Sequence, residues 1–328
     1  MPPDDGREPP AEGSSLGRPV GVFVGLATLD AVYRVQRPPA ADEKVTALSQ
    51  ELASGGPAAN AAVTFAALGG RAVLVTALGR HPLARVAADD LAEHGVTVVD
   101  AASERAGAPA VSSIYVSDST GERSVVSVNA LGSDVAPTEA LDEAAAGAAV
   151  VLLDGYHPRL AVAAARSART GGVRVVLDAG SWKPVLDELL PFVNVAACSA
   201  DFRLPGPPRT EEVMAAALLG RGVGTVVVTH GGAPVRWWER DGGRGSVDVY
   251  PVRAVDTLGA GDVFHGALVM AIAAKPQAAV PDWVATASGV AAVRCRHPGP
   301  RGWLTDRELS TWRHRLGTTA GIEGEDSP

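Results

Sequence analysis

Residues 256–268 read DTLGAGDVFHGAL, with three small residues, Gly259, Ala260 and Gly261, directly before Asp262. An apolar, helix-like run follows, and VYPVRAV before it reads as a strand. At a strand–turn–helix corner, small residues let backbone N–H groups approach a ligand. The helix start adds unpaired donors and about half a unit of positive charge, so the corner suits an anion. It is not a P-loop, because no lysine follows the glycines, and it lies too near the C-terminus for a dinucleotide fingerprint. Asp262 is the informative residue. A carboxylate beside a phosphate site repels the phosphate, so its placement makes sense where a proton must be removed. A sugar hydroxyl attacking a γ-phosphorus sheds a proton that Asp262 would accept, while the 259–262 amides steady the group in transit. The helix end favours the ionised carboxylate. The same spacing also suits an Asp that only caps a helix beside glycines that only make a turn. The residues alone leave both readings open.

The elements that must position this corner alternate. VGVFVGLA (20–27), AVLVTALG, AVVLLDG, VRVVLDAG and NVAACSA read as buried strands. Helical stretches lie between them, among them 60–70, 83–95 and TEEVMAAALLGRG. Residues 224–240 read as two strands around Gly-Gly, followed by a strand near 247–254 and helices at 262–274 and 281–295. Strands alternating with helices imply a parallel sheet covered on both faces. Two segments break the rhythm: 33–54, read as exposed strands, and 109–130, read as a hairpin turning at Asp118–Gly121. They are expected to form a small β lid over the carboxyl edge of the sheet, where ligands bind in such folds.

The 328 residues are 46% hydrophobic and 20% charged, with a net charge of −8 and lysine only at 44, 183 and 275. That balance argues against nucleic acid or an anionic membrane as partner. Cys198 and Cys295 form neither a zinc spacing nor a disulfide framework, and a reducing, cytoplasmic setting is expected. No apolar run is long enough for a membrane span. Residues 1–18 and 317–328 are expected to be disordered tails around a domain at 19–316. GSSLG (13–17) fits a nucleophile-elbow pattern but has no strand before it, and Cys198 lies in an apolar strand without a base.

The 256–268 stretch resembles the signature of the ribokinase/PfkB-type carbohydrate kinases, DTxGAGDxFxGxx, with His265 departing from the more usual residue. A second family element, a Gly-Gly pair followed by Asn, is matched by ASGGPAANAAVTFAALGG, with Gly55, Gly56 and Asn60. The resemblance covers roughly residues 19–315 and looks nearest to fructokinase- and ketohexokinase-like members. It implies a ribokinase-like three-layer α/β/α sandwich with a mainly parallel central sheet and a β lid. It also implies ATP, Mg²⁺ and a sugar acceptor, a ketose or pentose. A nucleoside, a sugar phosphate, a sulfonated sugar, or a non-catalytic sensor on the same scaffold are the alternatives.

By resemblance, Asp262 is the base and Gly259, Ala260 and Gly261 form the anion hole. Asp30, Gly56 and Asn60 face the sugar, and Arg123 is a lid arginine reaching into that pocket. Thr229 and Gly231 match a nucleotide-binding T-x-G, Ser199 stands on the neighbouring strand, and the helix around Ser288 passes the adenine. Read without the resemblance, Asp30 is a solvated strand-end acid, Asn60 a helix cap, Arg123 a surface charge and Lys44 a solvated lid lysine. Lys44 is otherwise placed to meet an anionic substituent. The N-x-x-E that many members use toward magnesium is missing, since the corresponding stretch is CSADF, so no metal ligand is assigned. Asp178 or Asp201 would organise metal-bound water instead. A monovalent-cation loop near 254–258 and 291–299 and a homodimer through the lid are further implications.

Overall fold

The computed structural model describes residues 18–207 and 209–318. Its main sheet runs β13 (Arg244–Val247), β12 (Ala233–Glu239), β11 (Thr225–His230), β10 (Val195–Ser199), β9 (Arg174–Ala179), β8 (Val150–Leu153), β1 (Val20–Val24), β4 (Arg71–Thr76), β5 (Val96–Asp100). Neighbours from β11 to β5 are parallel, and β12 and β13 add an antiparallel edge. β-Branched strands alternate their side chains between two cores. Phe23 of β1 points to one, Val22 and Val24 to the other. The Phe23 core is closed by α1 (Pro57–Ala67), α2 (Pro82–Glu93), α7 (Ala260–Ala274), α8 (Val280–Cys295) and α9 (Glu308–Leu316). The other is closed by α3 (Glu139–Ala146), α4 (Pro158–Thr170), α5 (Leu186–Leu189) and α6 (Glu211–Gly220). This is the three-layer α/β/α sandwich expected. No described helix is long and apolar enough to cross a membrane.

A second sheet, β3 (Ser49–Gly55), β2 (Thr28–Val35), β6 (Val111–Ser117), β7 (Arg123–Ser127), forms the lid. Val32, Ile114 and Val116 on its inner side pack Leu258 of the glycine motif. The lid tip also meets the motif, as Thr257 Oγ1 donates to the Gly121 carbonyl at 3.5 Å.

Several expectations need correction. The lid begins at Thr28 rather than 33, so Asp30 sits inside a lid strand. VYPVRAV is not a strand, since β13 ends at Val247. Pro251 offers no N–H to a ladder. Tyr250 instead packs edge-on against Trp312 at 5.9 Å, and Val255 N donates to the Cys295 carbonyl. α1 starts at Pro57, where a missing N–H costs nothing, so Asn60 lies within the helix and caps nothing. Arg18 and Thr318, expected in the tails, belong to the domain. Arg18 donates to the Gly69 and Gly70 carbonyls and Thr318 to that of Leu68. GSSLG lies outside the described residues.

The crossing of α1 and α7 sets the site. A Cβ on Gly266 would run into the Ala61 carbonyl and Thr64. The last glycine of the motif therefore lets the two helices touch, which brings Asn60 beside Asp262.

Candidate active site

Gly259 adopts φ 71° and caps α7, so Asp262 falls inside the first turn and makes no capping bond. The capping reading of Asp262 is thereby set aside. Its Oδ2 instead accepts from Asn60 Nδ2 at 2.8 Å. The anion hole is narrower than expected, because Ala260 N donates to the Thr257 carbonyl at 3.2 Å. Among the described residues, the amides of Gly259, Gly261 and Asp262 have no acceptor. They are the donors left for an incoming anion.

Asn60 is itself held from behind. Arg301 Nη1 donates to its Oδ1 at 3.2 Å, which turns the amide nitrogen toward Asp262. Arg301 Nη2 reaches Ser54 O at 2.7 Å and Asp90 Oδ2 at 3.0 Å. Ser54 donates both its N–H and its hydroxyl to Asp90. A chain of contacts thus runs Asp90–Arg301–Asn60–Asp262. Neither Arg301 nor Asp90 was expected from the sequence, and no motif marks them.

Asp30 shares this cleft with Ser54, Asn60, Gly259, Arg301 and Trp303. It is 9% exposed rather than solvated, and Thr28 Oγ1 donates to it at 2.6 Å. The Gly-Gly pair now has a steric cause. A Cβ on Gly55 would occupy the Asp30 carboxylate, and Gly56, at φ 96°, lies against the Leu26 carbonyl.

Burial pushes the Asp262 carboxyl up to about 6, and the nearby Asp178 charge adds to the effect. Asn60 and His265 pull it back, and Asp30 raises it. The helix end is therefore not the dominant influence, although the group stays mostly ionised at neutral pH. His265, the departure from the signature, faces Asp178 of β9 with Nδ1 3.0 Å from Oδ2, both buried. Burial opposes charge on each. The mutual attraction prevails, holding His265 above and Asp178 below their usual ranges. Burial also raises the Asp30 carboxyl, against the hydroxyls of Thr28 and Ser112 and the charge of Arg301.

At the carboxyl ends of β10 and β11, Ser199 and Thr229 are direct neighbours. Ser199 Oγ donates to the Gly180 carbonyl at 3.0 Å, and Thr229 Oγ1 to that of Cys198 at 3.4 Å. Gly231 follows in the turn after β11, at φ 60°. Ser288 is buried within α8 and its hydroxyl has no partner among the described residues. Arg123 is exposed and donates to Thr257 Oγ1 at 3.2 Å, bracing the motif rather than lining the Asp30 cleft. Lys44 is exposed in the β2–β3 connection. Cys198 is buried, and burial pushes its thiol up, away from a reactive thiolate.

A parallel α/β sandwich with a β lid, a half-buried carboxylate and, among the described residues, amides without acceptors at a helix start fits a kinase-type phosphotransferase. The sequence profile of the pfkB family of carbohydrate kinases matches residues 21–306, and the chain belongs to that family. An ATP-dependent ribose-1-phosphate kinase from Halopiger xanaduensis is 33% identical over 156 residues, 48% of this chain and 52% of that enzyme. The match thus spans about half of that relative's length. Fructokinase-1 of Oryza sativa subsp. japonica is 30% identical over 250 residues, 68% of this chain and 75% of the relative. A crystal structure from Agrobacterium tumefaciens, provisionally named a ribokinase, superposes with a TM-score of 0.79 at 28% identity, covering 91% of this chain and 98% of that one. The protein is a carbohydrate kinase, a phosphotransferase acting on a sugar hydroxyl.

Proposed function

We propose that the chain transfers the γ-phosphate of ATP to a primary hydroxyl of an uncharged pentose or ketose, with Asp262 as base. The observation that carries this reading is the Asp262 carboxylate, fixed by Asn60 next to the unclaimed Gly261 and Asp262 amides. Asp30 and Asn60 would orient the sugar, with the hydroxyl to be phosphorylated toward Asp262. As that oxygen attacks, its proton passes to Asp262, and the Gly259, Gly261 and Asp262 amides steady the moving phosphoryl group. The lid would exclude water as competing acceptor. Ser199, Thr229 and Gly231, at the strand ends nearby, would receive the nucleotide phosphates.

Magnesium would neutralise phosphate charge. Asp178 is committed to His265, whereas Asp201 is exposed on the turn after β10. A lone hard oxygen donor fits an ion that keeps its waters. The two arginines lining the sugar cleft are both neutralised, Arg301 by Asp90 and Arg294 by Asp256, which favours an uncharged acceptor over a sugar phosphate. The exposed Val126 and Val128, on and beside edge strand β7, support a homodimer through the lid.

The test is ADP formation across pentoses, ketoses, nucleosides and phosphorylated sugars, with Asp262→Asn as control. Sugar-dependent ADP in the wild type and none in the variant is expected. Turnover surviving in Asp262→Asn defeats the assignment, and ATP consumption with no sugar of the panel defeats the enzyme reading.

A further inference from the structure

The loop implied to hold a monovalent cation already contains a positive charge. Arg294, on the last turn of α8, is 1% exposed. Its Nη1 donates to the His297 carbonyl at 2.8 Å and points to the Asp256 carbonyl at 3.5 Å. Its Nη2 lies 3.5 Å from Asp256 Oδ2, and both side chains are 1% exposed. The oxygens that two converging loops offer to a cation therefore surround a guanidinium. Asp256 completes the ring. Its Oδ1 accepts from Leu258 N at 2.8 Å and its Oδ2 from Gly299 N at 3.0 Å, while Val255 N donates to the Cys295 carbonyl.

The donor set does not fit a potassium or sodium ion in addition. An alkali cation needs several free oxygens, and here two backbone carbonyls and the carboxylate face nitrogen donors. A guanidinium stays charged even when burial lowers its pKa. The ring also sits directly before the anion hole. Asp256 precedes Thr257, whose carbonyl takes the Ala260 amide, and Leu258, which adjoins Gly259. Whatever neutralises Asp256 shapes the peptide turn that presents the Gly259 and Gly261 amides.

We propose that Arg294 is a built-in counter-ion that replaces a monovalent cation in this loop and makes the anion-hole turn independent of potassium and sodium. The role is positional, since Arg294 acts through Asp256 on the turn. The activity arm of the test rests on the kinase reading, whereas the thermal arm does not.

The experiment compares wild type, Arg294→Met and Arg294→Lys in potassium, sodium and tetramethylammonium chlorides of equal ionic strength. Melting temperature and sugar-dependent turnover are read for each. For wild type, turnover changes by less than about twofold among the three salts, and the melting temperature follows ionic strength alone. Arg294→Met loses about tenfold or more in tetramethylammonium, and potassium or sodium returns most of the loss and raises its melting temperature. Arg294→Lys keeps the charge and stays insensitive to the choice of cation. A wild type activated severalfold, or raised in melting temperature, by potassium over tetramethylammonium overturns the proposal without any variant. So does a folded Arg294→Met that no alkali cation improves. If no sugar is turned over but the melting-temperature pattern holds, the kinase reading fails and the counter-ion stands.

Discussion

The two sides of the corner, assigned above by proposal to the acceptor and the donor, are built differently. On the acceptor side the polar side chains form a linked chain of contacts. Asp262 is fixed by Asn60, Asn60 by Arg301, Arg301 by Asp90 and Ser54, and Asp30 by Thr28. On the donor side the contacts are to backbone, Ser199 donating to the Gly180 carbonyl at 3.0 Å and Thr229 to that of Cys198 at 3.4 Å, and a Cβ on Gly231 would meet nothing within 4 Å. The contrast implies division of labour. Positioning of the attacking oxygen, where small errors cost most rate, is prepaid in side-chain contacts. On the proposed reading, holding the nucleotide would be left to backbone and short hydroxyls.

That contrast can be broken at several points. The largest effect belongs to Asp262→Asn, which is expected to lower kcat about 10³-fold with nucleotide affinity measured by calorimetry nearly unchanged. A matching loss of nucleotide binding would show the two sides to be one unit. Arg301→Met strands the partly buried Asp90 and frees Asn60. Both partners retain some exposure, so a loss of about 1–2 kcal/mol in denaturant unfolding is expected rather than the full cost of a buried pair. A fall in kcat of about tenfold should accompany it, with Arg301→Lys recovering part of the stability but little of the orientation.

A finer probe is the pH profile. A base at Asp262 must be ionised to accept a proton, and burial pushes its carboxyl up to about 6, so kcat is expected to fall as pH drops through that value. Asn60 lowers the Asp262 pKa, so Asn60→Ala should move this acid limb to higher pH as well as raise the sugar KM. An unmoved limb would detach Asn60 from the base. The smallest effect is expected on the donor side, where Thr229→Ala should raise the ATP KM only about three- to fivefold, about 1 kcal/mol. A loss as large as that of Asn60→Ala would erase the distinction between the sides.

Much of the site was legible because its residues announce themselves by type and spacing. The small residues before Asp262, and Gly55–Gly56 with Asn60, each serve a local steric demand, and such demands leave a mark on contiguous sequence. Arg301 and Asp90 left none. Their value arises only when α2, α1 and the segment after α8 meet, and an arginine in HPGPRGW looks like any surface arginine. His265 stood out as unusual, but its partner Asp178 reaches it from strand β9, far away in the sequence. The α/β alternation was readable from apolar periodicity, and it failed where propensity was read without a ladder partner. VYPVRAV has strand-like residues, yet Pro251 and the pull of Tyr250 toward Trp312 take it off the sheet. Asp30 was read as an acid at the end of the first strand because the boundary between main sheet and lid is only three residues, Gly25–Ala27.

The contact between the hairpin tip and the motif has one more outcome. Arg123 and Gly121 grip Thr257, and Leu258 is wedged under Val32, Ile114 and Val116. A cover fastened to the peptide that feeds the reactive corner cannot rise without loosening that corner. On the proposed reading, a cleft that gaped would slacken the phosphate cradle in the same movement, so ATP arriving without a sugar would find machinery out of true, and its wasteful hydrolysis would be curbed by mechanics rather than by affinity.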